Sequence, residues 1–146
     1  YAGFSECWPW QPPNQDYETV NVSAQSADPN SLLNLYRNLI ALRNEHPALM
    51  VGDYVKVDSD SQQVYAFVRE VPGETVLVVI NLNREPVSDY SLMLESLPFS
   101  GTVQATDLLG GVAIASPVFD ENGGATGYKL LAEIPPRIGL VILLQP

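Results

Sequence analysis

Catalysis or coordination needs side chains that titrate, attack or bind metal. In this chain of 146 residues they are one histidine, one cysteine and seventeen carboxylates. His46 stands at the end of a helical pattern, immediately before Pro47. That position suits a role against the negative end of a helix dipole, or in packing, better than one in catalysis. A Ser-His-Asp arrangement would need His46 to meet a serine on a distant strand, and no nucleophile-elbow pattern is present. Cys7 lies among aromatic residues with no second cysteine, so no intrachain disulfide framework exists and loop filling is its expected role. Asp120-Glu-Asn122, followed by two glycines, has the opening of a calcium loop but lacks the further ligands and the closing glutamate, so a hairpin turn is expected. Asn21-Val-Ser23 fits a glycosylation sequon. The carboxylates Asp53, Asp58, Asp60, Glu70, Glu85 and Asp89 fall in turns and at strand ends, where solvated surface is their expected fate. No pair stands out as the two carboxyls that glycoside hydrolysis requires. The sequence therefore offers no catalytic residue, no metal site and no cofactor motif.

The elements that would position these groups divide into three textures. Residues 1–27 are aromatic, rich in Pro and Asn, and aperiodic, which is loop composition. Residues 28–46 carry an apolar stripe of Leu32, Leu33, Tyr36, Leu39, Ile40 and Leu42 at three- and four-residue spacing. This predicts a helix capped by Asp28, with Pro29 in its first turn, and stopped by Pro47. From Gly52 the period changes to two. Strands are expected at 54–57, 64–70, 75–81, 90–94, 102–107, 128–134 and 139–144, separated by turn residues, with Asn122-Gly123 as the strongest hairpin signal. Seven short strands without an intervening helix predict an antiparallel β-sandwich or barrel.

The net charge of −10 repels nucleic acid and anionic membrane, so neither is expected as a partner. No apolar run reaches the roughly 18 residues of a membrane span. The chain opens at Tyr1 without an initiator methionine, which reads as an internal cut. The compartment stays open, with the lone cysteine favouring the cytoplasm.

The specific signal lies in the first fifty residues. Ala2-Gly-Phe-Ser5, Pro9-Trp10, Asn21-Val22 with Gln25, and Asp28-Pro29-Asn-Ser31-Leu-Leu33 are followed by Tyr36-Arg37, Leu39-Ile40, Leu42-Arg43, His46-Pro-Ala-Leu49 and Gly52-Asp-Tyr54. This run resembles the α-glucosidase and oligo-1,6-glucosidase branch of the α-amylase family (glycoside hydrolase family 13), and also its trehalose synthases. Val64-Tyr65-Ala66-Phe67, Val76–Asn81, Ile134-Pro-Pro136 and Gly139-Leu140-Val141 are similar to strands of that family's C-terminal domain. The resemblance implies that residues 1–51 are the remnant of a catalytic barrel, its last βα loop and final helix, and that residues 52–146 are a C-terminal β-sandwich. It implies a parent with an aspartate nucleophile, a glutamate acid/base and a second aspartate. All three precede Tyr1 in the family's order, so none maps onto this sequence. The chain alone is expected to be inactive. Its parent would be a retaining hydrolase of α-glucosidic oligosaccharides, and its partner the missing barrel. A non-enzymatic relative such as an amino-acid transporter heavy chain, or a free-standing sugar-binding sandwich, is the alternative. Phe4, Trp8 and Trp10 are the candidates for the rim of a sugar site; a role as wedges between barrel and sandwich competes with it and is the favoured of the two. Uncovered, the helical stripe would make the chain self-associate or fold back on its sandwich, with self-association the expected outcome.

Overall fold

The computed structural model describes residues 6–146. The chain divides between Ala41 and Leu42 into two compact units. In the first, the stretch expected as loop contains a short helix, α1 (Val22–Ala27). Asn21 is its N-cap: its Oδ1 accepts from the Ala24 amide at 2.8 Å, and its Nδ2 donates to the carbonyls of Tyr17 and Glu18. The sequon asparagine is thus a helix cap. Asp28 ends α1 in an extended conformation, as a residue before proline favours.

The second helix, α2 (Leu32–Glu45), consequently begins three residues later than the sequence predicts. Ser31 takes the capping role expected of Asp28, its Oγ accepting from the Asn34 amide at 3.2 Å. The Gln25 side chain accepts from the Leu33 amide at 3.0 Å, while the Ser31 hydroxyl donates to the Gln25 carbonyl at 2.6 Å. Two of the unpaired amides of the first turn are thereby satisfied. Pro47 stops α2 as expected. It also opens a third helix, α3 (Pro47–Val51), too short to leave a periodic trace in the sequence.

Gly52 turns the chain into the sheet. Its φ is ordinary, so the need for glycine is spatial: a Cβ here would lie 2.4 Å from the Ala48 carbonyl oxygen and 2.8 Å from that of Glu70. The strands are β1 (Asp53–Ser59), β2 (Val64–Val71), β3 (Glu74–Asn81), β4 (Leu92–Leu94), β5 (Gly101–Thr102), β6 (Gln104–Asp107), β7 (Val118–Phe119), β8 (Ala125–Tyr128) and β9 (Gly139–Gln145). They form an antiparallel sheet in the order β6-β9-β3-β2-β1-β4-β8, with a separate β5–β7 ribbon. Strand β1 belongs to both layers: Asp53–Val57 pairs with β2, whereas Asp58 and Ser59 pair with β4. The result is the antiparallel β-sandwich that the strand pattern predicts. Its interior holds Val68, Leu77, Val79 and Ile142 from one layer, packed with Tyr90, Leu92, Leu94, Leu130 and Ile134 from the other.

Three strand expectations fail in instructive ways. The stretch 102–107 is broken at Val103, which is buried and bonds through its amide to the Pro117 carbonyl instead of continuing a ladder. The expected strand 128–134 is replaced by β8, ending at Tyr128; Leu130 and Ile134 are buried from irregular backbone, with one bridge between Val87 and Ile134. The Asn122-Gly123 turn forms, but its arms diverge, β7 pairing with β5 and β8 with β4.

Strand β3 is buried on both faces. Leu77 and Val79 face the interior, while Val76 and Val78 face outward and are covered, with Val141, by Leu42 and Ala48. That second cover explains why Val76–Ile80 reads as a continuous apolar run rather than an alternating one.

Candidate functional site

Of the aromatic residues that the sequence offers as candidates, Trp8 and Trp10 lie among the described residues. Trp8 and Trp10 are 71% and 96% exposed and line one open groove with Pro9, Pro12 and Pro13. Pro9, Pro12 and Pro13 fix their own φ angles, which stiffens the segment that carries the rings. Exposed indole faces can stack on apolar ring faces of a ligand. Phe4 lies outside the described residues.

His46 belongs to a different arrangement. Its Nδ1 lies 2.6 Å from Oε1 of Glu74, and the other oxygen, Oε2, accepts from the Ala48 amide at 2.8 Å. The ring therefore sits at the junction of α2 and α3, hydrogen-bonded to a carboxylate of β3. Its partner, 28 residues away, carries no sequence signal.

The remaining candidate groups are engaged in holding turns. Oδ1 of Asp120 accepts from the amides of Asn122 and Gly124, which makes the suspected calcium loop an Asx-stabilised turn. Asp107 accepts from the amides of Leu109 and Gly111. Asp60 accepts from both the hydroxyl and the amide of Ser91, and these donors hold its carboxyl below the usual aspartate range. Lys56 pairs with Asp58 at 2.5 Å, and that bond raises the ammonium pKa. Among the described residues no group of three or more His, Cys, Asp and Glu could hold a metal ion.

Two tyrosines are spent inside the sandwich. Tyr90 donates to the Leu131 carbonyl at 2.6 Å and accepts from the Leu131 amide at 2.9 Å; burial raises its pKa. Tyr128 donates to the Ala115 carbonyl at 2.7 Å, and burial pushes its phenol well above the ordinary value. Sequence reasoning also passed over Asn81, a buried amide at the end of β3. Its Nδ2 reaches the carbonyls of Glu85, Ile134 and Pro135, and its Oδ1 accepts from the Asn83 amide.

The second unit is an antiparallel sandwich whose outer face carries a helical corner. The profile described as "Alpha amylase, catalytic domain" matches residues 1–52. The α-glucosidase of Candida albicans is 44% identical over 89 residues, 60% of this chain and 16% of that protein. An oligo-1,6-glucosidase of Halalkalibacterium halodurans is 29% identical over 137 residues, 89% of this chain and 21% of its own length. The crystal structure of trehalulose synthase MutB from Pseudomonas mesoacidophila MX-45 matches with a TM-score of 0.63 and 32% identity, covering 94% of this chain and 22% of that one. The chain belongs to the α-amylase family, glycoside hydrolase family 13, and corresponds to a C-terminal portion of an α-glucosidase-like member. It spans about a fifth of the length of these relatives.

Proposed function

We propose that this chain is the non-catalytic end of a retaining hydrolase of α-glucosidic bonds. Residues 1–51 complete the catalytic barrel as its last βα loop and final helix, and residues 52–146 form the sandwich that covers it. The observation that carries this reading is the uneven cover of α2. Leu42, near its end, is 8% exposed, packed under the sandwich's outer face, while Leu32, Tyr36 and Ile40 on the same helix are 64%, 59% and 57% exposed. A stripe of that character is built to be covered, and a barrel is the partner the family offers. Relatives named as glucosidases favour an enzymatic parent over a transporter heavy chain. A helix bearing an uncovered stripe has no use in a free-standing sugar-binding sandwich.

The test is turnover of an aryl α-glucoside. The purified chain is expected to show none, and a protein that includes the upstream barrel is expected to show it; hydrolysis by the chain alone refutes the reading. In that longer protein Trp8 and Trp10 are the candidates for the rim of the sugar site, in competition with the wedge role that the sequence favours. Trp10→Ala then raises KM for an oligosaccharide with kcat little changed. If the rings are wedges instead, the same change lowers thermal stability and leaves KM alone.

A further inference from the structure

We propose that Glu74 is a latch that holds the α2–α3 corner on the outer face of the sandwich, with His46 setting the position of its carboxylate. The short helix α3 has five residues, far below the roughly 12–15 at which a helix becomes even marginal by itself. Its stability must come from its surroundings, and the structure shows from where. The residue before it, His46, makes no side-chain cap, and Pro47 at its first position has no N–H to satisfy. The first amide that needs an acceptor is Ala48, and Glu74, the first residue of β3, supplies it from outside the helix at 2.8 Å. The second carboxylate oxygen is taken by His46 at 2.6 Å. The two side chains are only 16% and 19% exposed, so water competes weakly for these bonds.

The other end of α3 is held by the opposite charge. Arg43 of α2 donates to the carbonyls of Leu49 and Met50, at 2.6 and 3.3 Å, and Arg69 of β2 approaches the Ala48 carbonyl at 3.4 Å. An anion at the N-terminus and cations at the C-terminus both complement the helix dipole. Between them Ala48 is fully buried, filling the outer cluster with Leu42, Val76, Val78 and Val141. The helix is therefore conditional: it exists because three side chains from neighbouring elements close its two ends. Removing the carboxylate opens the corner as a unit while the sheet beneath stays folded.

Amide hydrogen exchange on the 146-residue chain reads this without reference to enzymatic activity, so it can fail while the family reading stands. In Glu74→Ala, which removes both acceptor oxygens, exchange at Ala48–Met50 and Gly52 should accelerate about tenfold, the scale of losing a helix cap, with the amides of β3 and β9 unchanged. His46→Gln, which leaves the Ala48 acceptor in place, should accelerate the same amides less. Unchanged exchange in Glu74→Ala overturns the proposal. So does an equal acceleration throughout the sheet, or failure of Glu74→Ala to fold, because Glu74 would then act on the whole domain rather than on the corner.

Discussion

Replacing Asn81 by alanine tests the account of how the end of β3 is tied to the segment before β9. The side chain is almost fully buried. Its Nδ2 lies 3.1, 3.1 and 2.9 Å from the carbonyls of Glu85, Ile134 and Pro135, and its Oδ1 receives the Asn83 amide at 2.8 Å. These bonds do not count equally. The Ile134 carbonyl also accepts from the Val87 amide, so it keeps a partner in the variant. Glu85 and Pro135 are exposed residues whose carbonyls water can reach. The Asn83 amide loses the acceptor that organises its turn. A buried polar group left unpaired costs about 1–3 kcal/mol, so one clear loss and two partial ones give about 2–4 kcal/mol. For a chain of this size each kcal/mol moves Tm by about 4 °C, and the drop should be about 8–16 °C. Asn81→Asp supplies the control. It keeps the size but replaces both N–H donors with a charge facing three carbonyl oxygens, and it should cost more than alanine despite preserving the Asn83 bond. Urea unfolding followed by far-ultraviolet circular dichroism measures both. A loss below about 0.5 kcal/mol in Asn81→Ala, the range of an ordinary surface substitution, refutes the reasoning. An aspartate milder than alanine refutes it as well.

The turn glycines provide a matched pair. Gly123 has φ +77° and an added Cβ would lie 2.0 Å from the Leu97 carbonyl oxygen, whereas Gly127 has φ +71° and open space. Gly127→Ala should cost the about 1–2 kcal/mol of a left-handed residue, and Gly123→Ala distinctly more; equal urea midpoints would contradict the steric argument. Burial raises the pKa of Tyr128 and Tyr90, so in alkali the unfolded chain loses these protons first. Stability from them is complete below the ordinary tyrosine pKa of about 10 and falls as pH rises above it. Phenolate absorbance should therefore show these two tyrosines ionising only with unfolding, and Tyr128→Phe should flatten the alkaline loss. Light scattering should show the isolated chain self-associating through α2, with Ile40→Lys shifting it towards monomer; a chain that stays monomeric when concentrated disproves this.

The parts of the fold legible in the sequence are those where one side-chain pattern meets one kind of cover. Strands β2, β3 and β9 appear within a residue or two of their predicted limits, because each is an apolar run bounded by turn residues. The body of α2 is legible from its stripe. Its start is not, since Asp28 and Ser31 are both good caps and only the extended conformation before Pro29 decides between them. The helix α1 buries no residue, so it leaves no periodic trace; its cap, Asn21, was visible only as a sequon. Leu130 and Ile134 have the composition of a strand but are buried from irregular backbone, and composition reports burial without reporting pairing. The site follows the same division. Trp8 and Trp10 are candidates from residue type and family resemblance, while the His46–Glu74 contact joins residues 28 apart and depends on where β3 begins.

The two faces of β3 carry this lesson further. Pattern analysis treats an apolar residue as a statement that something will cover it, and it cannot say what. For Val76 and Val78 the cover lies within the chain, in Leu42 and Ala48, and their burial is complete or nearly so. For Leu32, Leu35, Tyr36, Leu39 and Ile40 the same kind of statement is made, and these side chains stand exposed. Fully burying one large apolar side chain contributes about 1.5–3 kcal/mol. Covering five of them is worth as much as the net stability of a typical domain. Under the function proposed above, a partner surface would account for that stripe, with Leu32, Tyr36 and Ile40 on this side of the contact.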